Sequence, residues 1–238
     1  MGTPSDLTTS REDLVAANHI LSNEGILDAY GHVSIRNPER PNRYIMAWSR
    51  SPELIELEDL LEFELDGTPV EPTDKVLYIE RHIHGAIYEA RADVMAVCHN
   101  HDTAVLPFSI SLDVKLKPVI HGGTVLGGEV PVWNITEEFG ATDFLVRNME
   151  QGRSLARTVG GGPVALMRAH GSAVAGGDLL EVVSTCIGMD KNATVQMQAM
   201  MMGRYIPISD EELAARASLG RGPTRFRAWE YWKRRIGS

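Results

Sequence analysis

The residues best able to do chemistry in this chain lie in one stretch, Glu80 to Asp102. His99 and His101 close a short apolar run, Val94, Ala96, Val97 and Cys98, that reads as a strand. Strand side chains alternate, so the two imidazoles point one way while Cys98 and Asn100 point the other. Two imidazoles on one face of a strand end can grip a single divalent ion. Upstream, Leu77, Glu80, His84, Ile87 and Tyr88 recur at three- and four-residue spacing, which predicts a helix with the Glu80 carboxylate and the His84 ring on one face. Packed on the strand, that helix would bring a carboxylate beside the ion. An isolated His-x-His is a weak sign. A second strand-like run, Pro163 to Ala169, also ends in a histidine, His170, followed by Gly171. Strand ends are where open sheets place their sites, and three histidines on two such ends are hard to dismiss as core residues.

Several elements must position these groups. A first helix is predicted from Ser10, with Asp13 reaching back to the cap, Leu14, Ala17 and Leu21 inward, and Gly25 as its stop. Strands are expected through His32 to Ile35 and Tyr44 to Trp48, then a hairpin over Asp59 to Val70 that turns at Asp66-Gly67. Leu116 to Ile120 reads as a further strand leading into His121, and Val130 to Trp133 as an edge strand. A helix is expected over Thr142 to Val159, ending at Gly160-Gly161-Gly162. Asp178 with Glu181 caps a long helix that runs to Gly203, and Ser209 with Glu212 caps a short one. The methionine-rich face, Met197, Met200, Met201 and Met202, reads as core or subunit contact. Irregular alternation of strands and helices, with a hairpin, predicts an α/β protein with a mainly antiparallel central sheet covered by helices.

Four blocks in order resemble the class II aldolase/adducin family: Gly31-His32-Val33-Ser34, Glu80 with His84, Arg91 to His101 (R-x-D-x-x-A-V-x-H-x-H), and His170-Gly171. The resemblance covers about Leu14 to Tyr205. It implies a three-layer α/β/α sandwich and a homotetramer with active sites at the subunit interfaces. It also implies one divalent metal ion per subunit, held by His99, His101 and His170, with Glu80 as the acid/base. By family the ion is zinc, with manganese, iron and cobalt as the other metals that suit three histidines. The G-x-x-S turn makes His32 and Ser34 substrate contacts, and His121 occupies a third family position. Ser49-Arg50-Ser51, where hydroxyls flank a guanidinium, suits a carboxylate or phosphate, so Ser49 and Arg50 join the substrate group.

A chain of 238 residues, 43% hydrophobic and 23% charged, supports one sizeable core. We read residues 1–207 as the family-like domain and 208–238 as a C-terminal helical extension packing on it. No apolar run approaches a membrane span, and the polar Met1 to Thr9 lacks a signal region, so a cytoplasmic protein is expected. A net charge of −9 without a basic stripe argues against nucleic acid and leaves a small-molecule acidic substrate, for which positive charge must be supplied locally. The basic cluster Arg221, Arg225, Arg227, Lys233, Arg234 and Arg235 interleaves with Phe226, Trp229, Tyr231 and Trp232, the pattern of a solvated helix anchored by aromatics, with a substrate lid as the alternative. Cys98 and Cys186 form no C-x-x-C and are read as buried thiols.

Two departures from the family pattern bear on the reaction. Sugar-phosphate members carry serines directly before the glutamate, where this chain has Tyr78-Ile79, which points away from a phosphorylated substrate. Those aldolases also place a tyrosine after the histidine at position 121 to protonate a departing aldehyde, and here Gly122 stands there. A leaving group that needs no proton, such as carbon dioxide, fits better. The expectation is therefore a decarboxylase of a dihydroxylated aromatic acid in aromatic catabolism. A retro-aldolase for a non-phosphorylated hydroxy-keto acid is the alternative, and a non-catalytic adducin-like interaction domain is a third.

Overall fold

The computed structural model describes residues 7–219, 222 and 224–237. Met1 to Asp6 and Arg221, which entered the sequence reading, lie outside them. The strands are β1 (His32–Arg36), β2 (Arg43–Ala47), β3 (Leu60–Glu64), β4 (Ala96–Asn100), β5 (Val132–Trp133), β6 (Val164–Met167) and β7 (Gly171–Gly176). They form one sheet in the order β3-β2-β1-β4-β7-β6-β5, antiparallel throughout except where β5 pairs with β6. The helices are α1 (Leu7–Asn23), α2 (Arg81–Ala90), α3 (Leu106–Ile110), α4 (Ile135–Phe139), α5 (Met149–Val159), α6 (Leu179–Met202), α7 (Asp210–Ser218) and α8 (Thr224–Arg235).

The sheet's two faces carry different chemistry because its central strands alternate. On β4, Cys98 and Asn100 face α6, where the Asn100 amide meets both cysteine sulfurs, each 3.9 Å away. Val97 and His99 face the other side, where α2 and α5 pack together. In β1, Val33 and Ile35 turn with the apolar face toward α1, while His32, Ser34 and Arg36 reach α2: Ser34 meets His84 and Tyr88, and Arg36 binds the Tyr88 carbonyl. The result is the three-layer sandwich, with α1, α6 and α8 on one face and α2 and α5 on the other. No described helix is long and apolar enough to cross a membrane. The α8 helix lies on α1 and α6 through buried Trp232, Lys233 to Asp13 and Arg225 to Asp178.

Several expected elements differ. The first helix already runs at Leu7, so Ser10 lies inside it and Asp13 pairs with Lys233 instead of a cap. The β3 hairpin closes through a single bridge, Phe63 to Pro69. Leu116 to Ile120 forms no strand, because its amide and carbonyl groups are taken by Asn192 and Gln196 side chains on α6 and by Val130. The helix expected from Thr142 begins only at Met149, where the Asn148 side chain caps it by accepting from the Gln151 amide. Glu80 is not in a helix: it is the residue before α2, and Leu77 lies outside as well. The capped helices after Asp178 and Ser209 occur where expected. Met197 and Met200 pack on the core, whereas Met201 and Met202 are exposed.

Candidate active site

Glu80, His99, His101 and His170 come together at one end of the sheet, with a potential ligand atom from each lying within 4.8 Å of all the others. His99 closes β4 and His101 follows it. His170 sits in the tight turn between β6 and β7, not at the end of a longer strand. Ala169 in that turn has φ 57°, and Phe144, in the facing loop, has φ 67°. Left-handed backbone at residues with a Cβ costs about 1–2 kcal/mol each. Both act on one ring: Ala169 sets its approach, and the Phe144 carbonyl accepts from its Nδ1 at 2.9 Å. Gly171 is required for a further reason. A Cβ there would run into the Asn100 carbonyl, so only glycine lets β7 begin this close to the end of β4.

The second nitrogen of each ring decides what the cluster can bind. His99 Nδ1 faces the Ser172 carbonyl at 3.0 Å, His170 Nδ1 the Phe144 carbonyl, and His101 Nδ1 the Asp28 carboxylate at 3.0 and 3.1 Å. These oxygens only accept, so each Nδ1 carries the proton and each neutral ring keeps its lone pair on Nε2. His99 Nε2 and His101 Nε2 are 3.1 Å apart, and the Glu80 Oε2 atom lies 3.3 Å from His99 Nε2 and 3.4 Å from His170 Nε2. Three lone pairs and a carboxylate oxygen converging at this distance repel one another unless a cation or protons lie between them. The donor set fits a divalent ion with room for further ligands, the open arrangement of catalytic sites.

Charges follow from the same geometry. Burial alone would raise the Glu80 carboxyl, but His99 and His170 overcome it and hold the group well below the usual carboxylate range. Burial works against a charged His170, yet Glu80 raises it above the ordinary imidazole value. Burial and neighbouring His99 lower His101, with Asp28 acting the other way. The Val146 amide donates to Glu80 Oε1 at 2.9 Å, which leaves Oε2 as the oxygen free to exchange partners.

The expected substrate contacts fall in different places. His32 lies beside His99 through the β1–β4 register, ring centroids 5.1 Å apart, and is buried. Ser34 lies one layer deeper, buried, with its hydroxyl engaged by His84 at 2.6 Å and Tyr88 at 2.8 Å. Tyr78 stands between His32, 4.5 Å away, and Arg50, whose carbonyl accepts from the Tyr78 hydroxyl. Arg50 also pairs with Asp59 at 3.2 Å, while the Ser49 amide bonds the Val76 carbonyl. His121 is exposed at the start of a three-ten helix packed on α6, the opposite face of the sheet from α2, and no contact among the described residues joins it to the cluster within one chain. Asp28 is the site residue that the sequence reading missed. Its signal was the D-A-Y-G turn before β1, where its side chain accepts from the Tyr30 and Gly31 amides.

The family described as Class II Aldolase and Adducin N-terminal domain matches residues 12–197. Decarboxylase tropJ of Talaromyces stipitatus is 36% identical over 222 residues, which span 88% of this chain and 79% of that protein. The 3,4-dihydroxyphthalate decarboxylase of Arthrobacter keyseri is 25% identical over 245 residues, spanning 96% and 94%. Among solved structures, an aldolase II superfamily protein from Pseudomonas syringae superposes with a TM-score of 0.81 at 24% identity, over 98% of this chain and 94% of that one. L-fuculose 1-phosphate aldolase from Glaciozyma antarctica PI12 gives 0.79 at 23%, over 99% and 93%. The chain belongs to the class II aldolase and adducin family. Its relatives place it among the family's lyases, which sets aside the non-catalytic adducin-like alternative.

Proposed function

We propose that this protein is a divalent-metal-dependent decarboxylase of an aromatic acid that carries adjacent hydroxyls and a carboxylate ortho to one of them, such as a dihydroxyphthalate. The observation that carries this reading is the Glu80 carboxylate lying against the Nε2 atoms of His99 and His170, with His101 in the same cluster. The names borne by the relatives at 36% and 25% identity support the choice of reaction. His99, His101 and His170 would hold the ion, zinc by family resemblance, with manganese, iron and cobalt also suited to the donor set. When bound, it supplies a Lewis acid that withdraws charge from the substrate's oxygens.

The chain's own residues perform the proton chemistry. Glu80 takes a proton from a substrate hydroxyl through Oε2 while the Val146 amide holds Oε1 in place. It returns that proton to the ring carbon bearing the carboxylate. The carbon–carbon bond then breaks, its electrons restore the aromatic ring, and carbon dioxide leaves without needing a proton. The hydroxyl left deprotonated regains a proton from water, so one solvent proton is consumed for each carbon dioxide released. Arg50 or His32 would receive a second carboxylate, and His121 would act across a subunit boundary in a homotetramer. The protein would act in the cytoplasm.

The test gives metal-loaded protein panels of dihydroxyphthalates, dihydroxybenzoates and non-phosphorylated hydroxy-keto acids, and measures released carbon dioxide and trapped aldehyde. Carbon dioxide with a ring-protonated phenol is the expected result. Aldehyde without carbon dioxide would move the protein to the retro-aldolases, the reaction named for several of its fold neighbours. Mass photometry of the same preparation checks the tetramer, and a monomer would remove His121 from the site.

A further inference from the structure

The turn that carries His170 holds a neighbouring loop at two points of a single residue. The turn spans residues 167–171, and the loop, residues 140–148, joins α4 to α5. From the turn, His170 Nδ1 donates to the Phe144 carbonyl at 2.9 Å, and the Arg168 guanidinium lies over the Phe144 ring, 5.3 Å from its centroid. Arg168 is itself fixed. Its Nε donates at 2.8 Å to the Asn134 side-chain oxygen, which also caps α4 by accepting from the Thr136 amide, and its backbone amide donates to the Trp133 carbonyl.

The second hold matters because Phe144 stands in the left-handed region, φ 67°, which a residue with a Cβ does not adopt by preference. Local bonds bend the loop around it: the Thr142 hydroxyl accepts from the Phe144 amide, and the Asp143 carboxylate accepts from the Leu145 amide. These bonds leave the ring untouched. The ring is half-buried against the core and takes Arg168 on its face, where the aromatic quadrupole attracts a cation within about 6 Å. Without that contact Phe144 can relax to ordinary backbone, which turns its carbonyl away from His170.

The same loop reaches the proton carrier. Two residues after Phe144, the Val146 amide donates to Glu80 Oε1 at 2.9 Å, and Glu80 Oε2 lies 3.4 Å from His170 Nε2. Phe144 and Val146 therefore set the spacing of a carboxylate and a histidine that come from different parts of the chain. We infer that Arg168 and Phe144 are positioning residues, a clamp that fixes the loop so that it holds Glu80 and His170 in register with each other. This rests on the roles given to Glu80 and His170 in the reading above. Loss of a cation–π contact moves such an equilibrium about 3- to 30-fold.

The test follows two protons by their exchange with water in protein labelled with nitrogen-15: the Val146 amide, in metal-free protein, and the His170 Nδ1 proton, in zinc-loaded protein. The His99 Nδ1 proton, held by the Ser172 carbonyl instead of the loop, is the internal reference. Val146 and His170 are expected to exchange about 3- to 30-fold faster in Arg168→Ala, with partial recovery in Arg168→Lys and no change at His99. Phe144→Leu keeps an apolar side chain, removes the aromatic face and is expected to match Arg168→Ala, and combining the two is expected to add nothing further. Should Arg168→Ala fail to fold, Phe144→Leu removes the same contact from the other side. An unchanged rate at either proton, an equal acceleration at His99, or additive effects in the double variant would each overturn the inference. Zinc that leaves the wild-type His170 signals unshifted, with the Val146 results intact, would overturn the metal-ligand reading of His170 alone.

Discussion

Replacing Asp28 by asparagine changes one charge and almost no volume, yet it alters the group that holds the His101 Nδ1 proton. Outer partners of this kind typically control about 10- to 100-fold in metal affinity. Asp28→Asn is therefore expected to weaken zinc by that factor, measured by competition with a calibrated chelator, with the secondary structure unchanged. Unaltered affinity would separate Asp28 from the metal site. Glu80→Gln keeps the shape and removes the proton carrier, so it is expected to retain metal and lose about 10²- to 10⁴-fold in turnover. A variant within twofold of wild type would take Glu80 out of the mechanism. At this scale much was legible, because His99, His101, His170 and Glu80 are residue types with few other uses in such a pattern. The partners of Ser34 were not. A hydroxyl two residues after His32 reads as a neighbour on one strand face, but only α2 packed above it shows that His84 and Tyr88 occupy its bonds.

Elements place these groups through close approaches that leave no slack. Gly171→Ala puts a methyl group against the Asn100 carbonyl and must displace the turn that carries His170. It is expected to cost about 1–3 kcal/mol of stability and to reduce metal affinity as well. Gly161→Ala, where a Cβ would meet nothing within 4 Å, is the control expected to do neither. Calorimetric unfolding and metal titration of both variants check this. The α2 helix carries a pH signature. Burial, then the charge of His99, pushes His84 down to about 3 from an ordinary value near 6.5. Between those two values the unfolded chain takes up a proton that the native ring does not, so stability falls as pH drops through that window. His84→Gln is expected to flatten that decline in denaturant titrations of the metal-free protein, and an unchanged slope would contradict it. Sequence periodicity found α2, β1, β2 and α6 because their apolar faces are long or clean. It missed β7, whose Gly-Ser-Ala-Val-Ala-Gly composition has little strand character and whose place is set by pairing with β4 and β6. It also extended α5 over 142–148, where Glu80 and His170 instead bind the backbone of Val146 and Phe144.

For the whole molecule, the metal belongs to the folded state only, since Asp28, Glu80, His99, His101 and His170 are scattered through the sequence and meet at one end of one sheet. Mass action then adds stability of about 4 kcal/mol when free metal is about a thousandfold above its dissociation constant. Chelator treatment is expected to lower the unfolding midpoint reversibly in wild type and to leave a His99→Ala variant nearly unaffected. The measurement that tests the central claim most directly follows both products of one reaction in heavy water. Zinc-loaded protein is given the aromatic acid it turns over best, with its ring carboxylate labelled with carbon-13. The account predicts one labelled carbon dioxide released per product molecule and one deuteron on the vacated ring carbon, with both lost together in Glu80→Gln. Release of an aldehyde with the labelled carboxylate still on the product would contradict it.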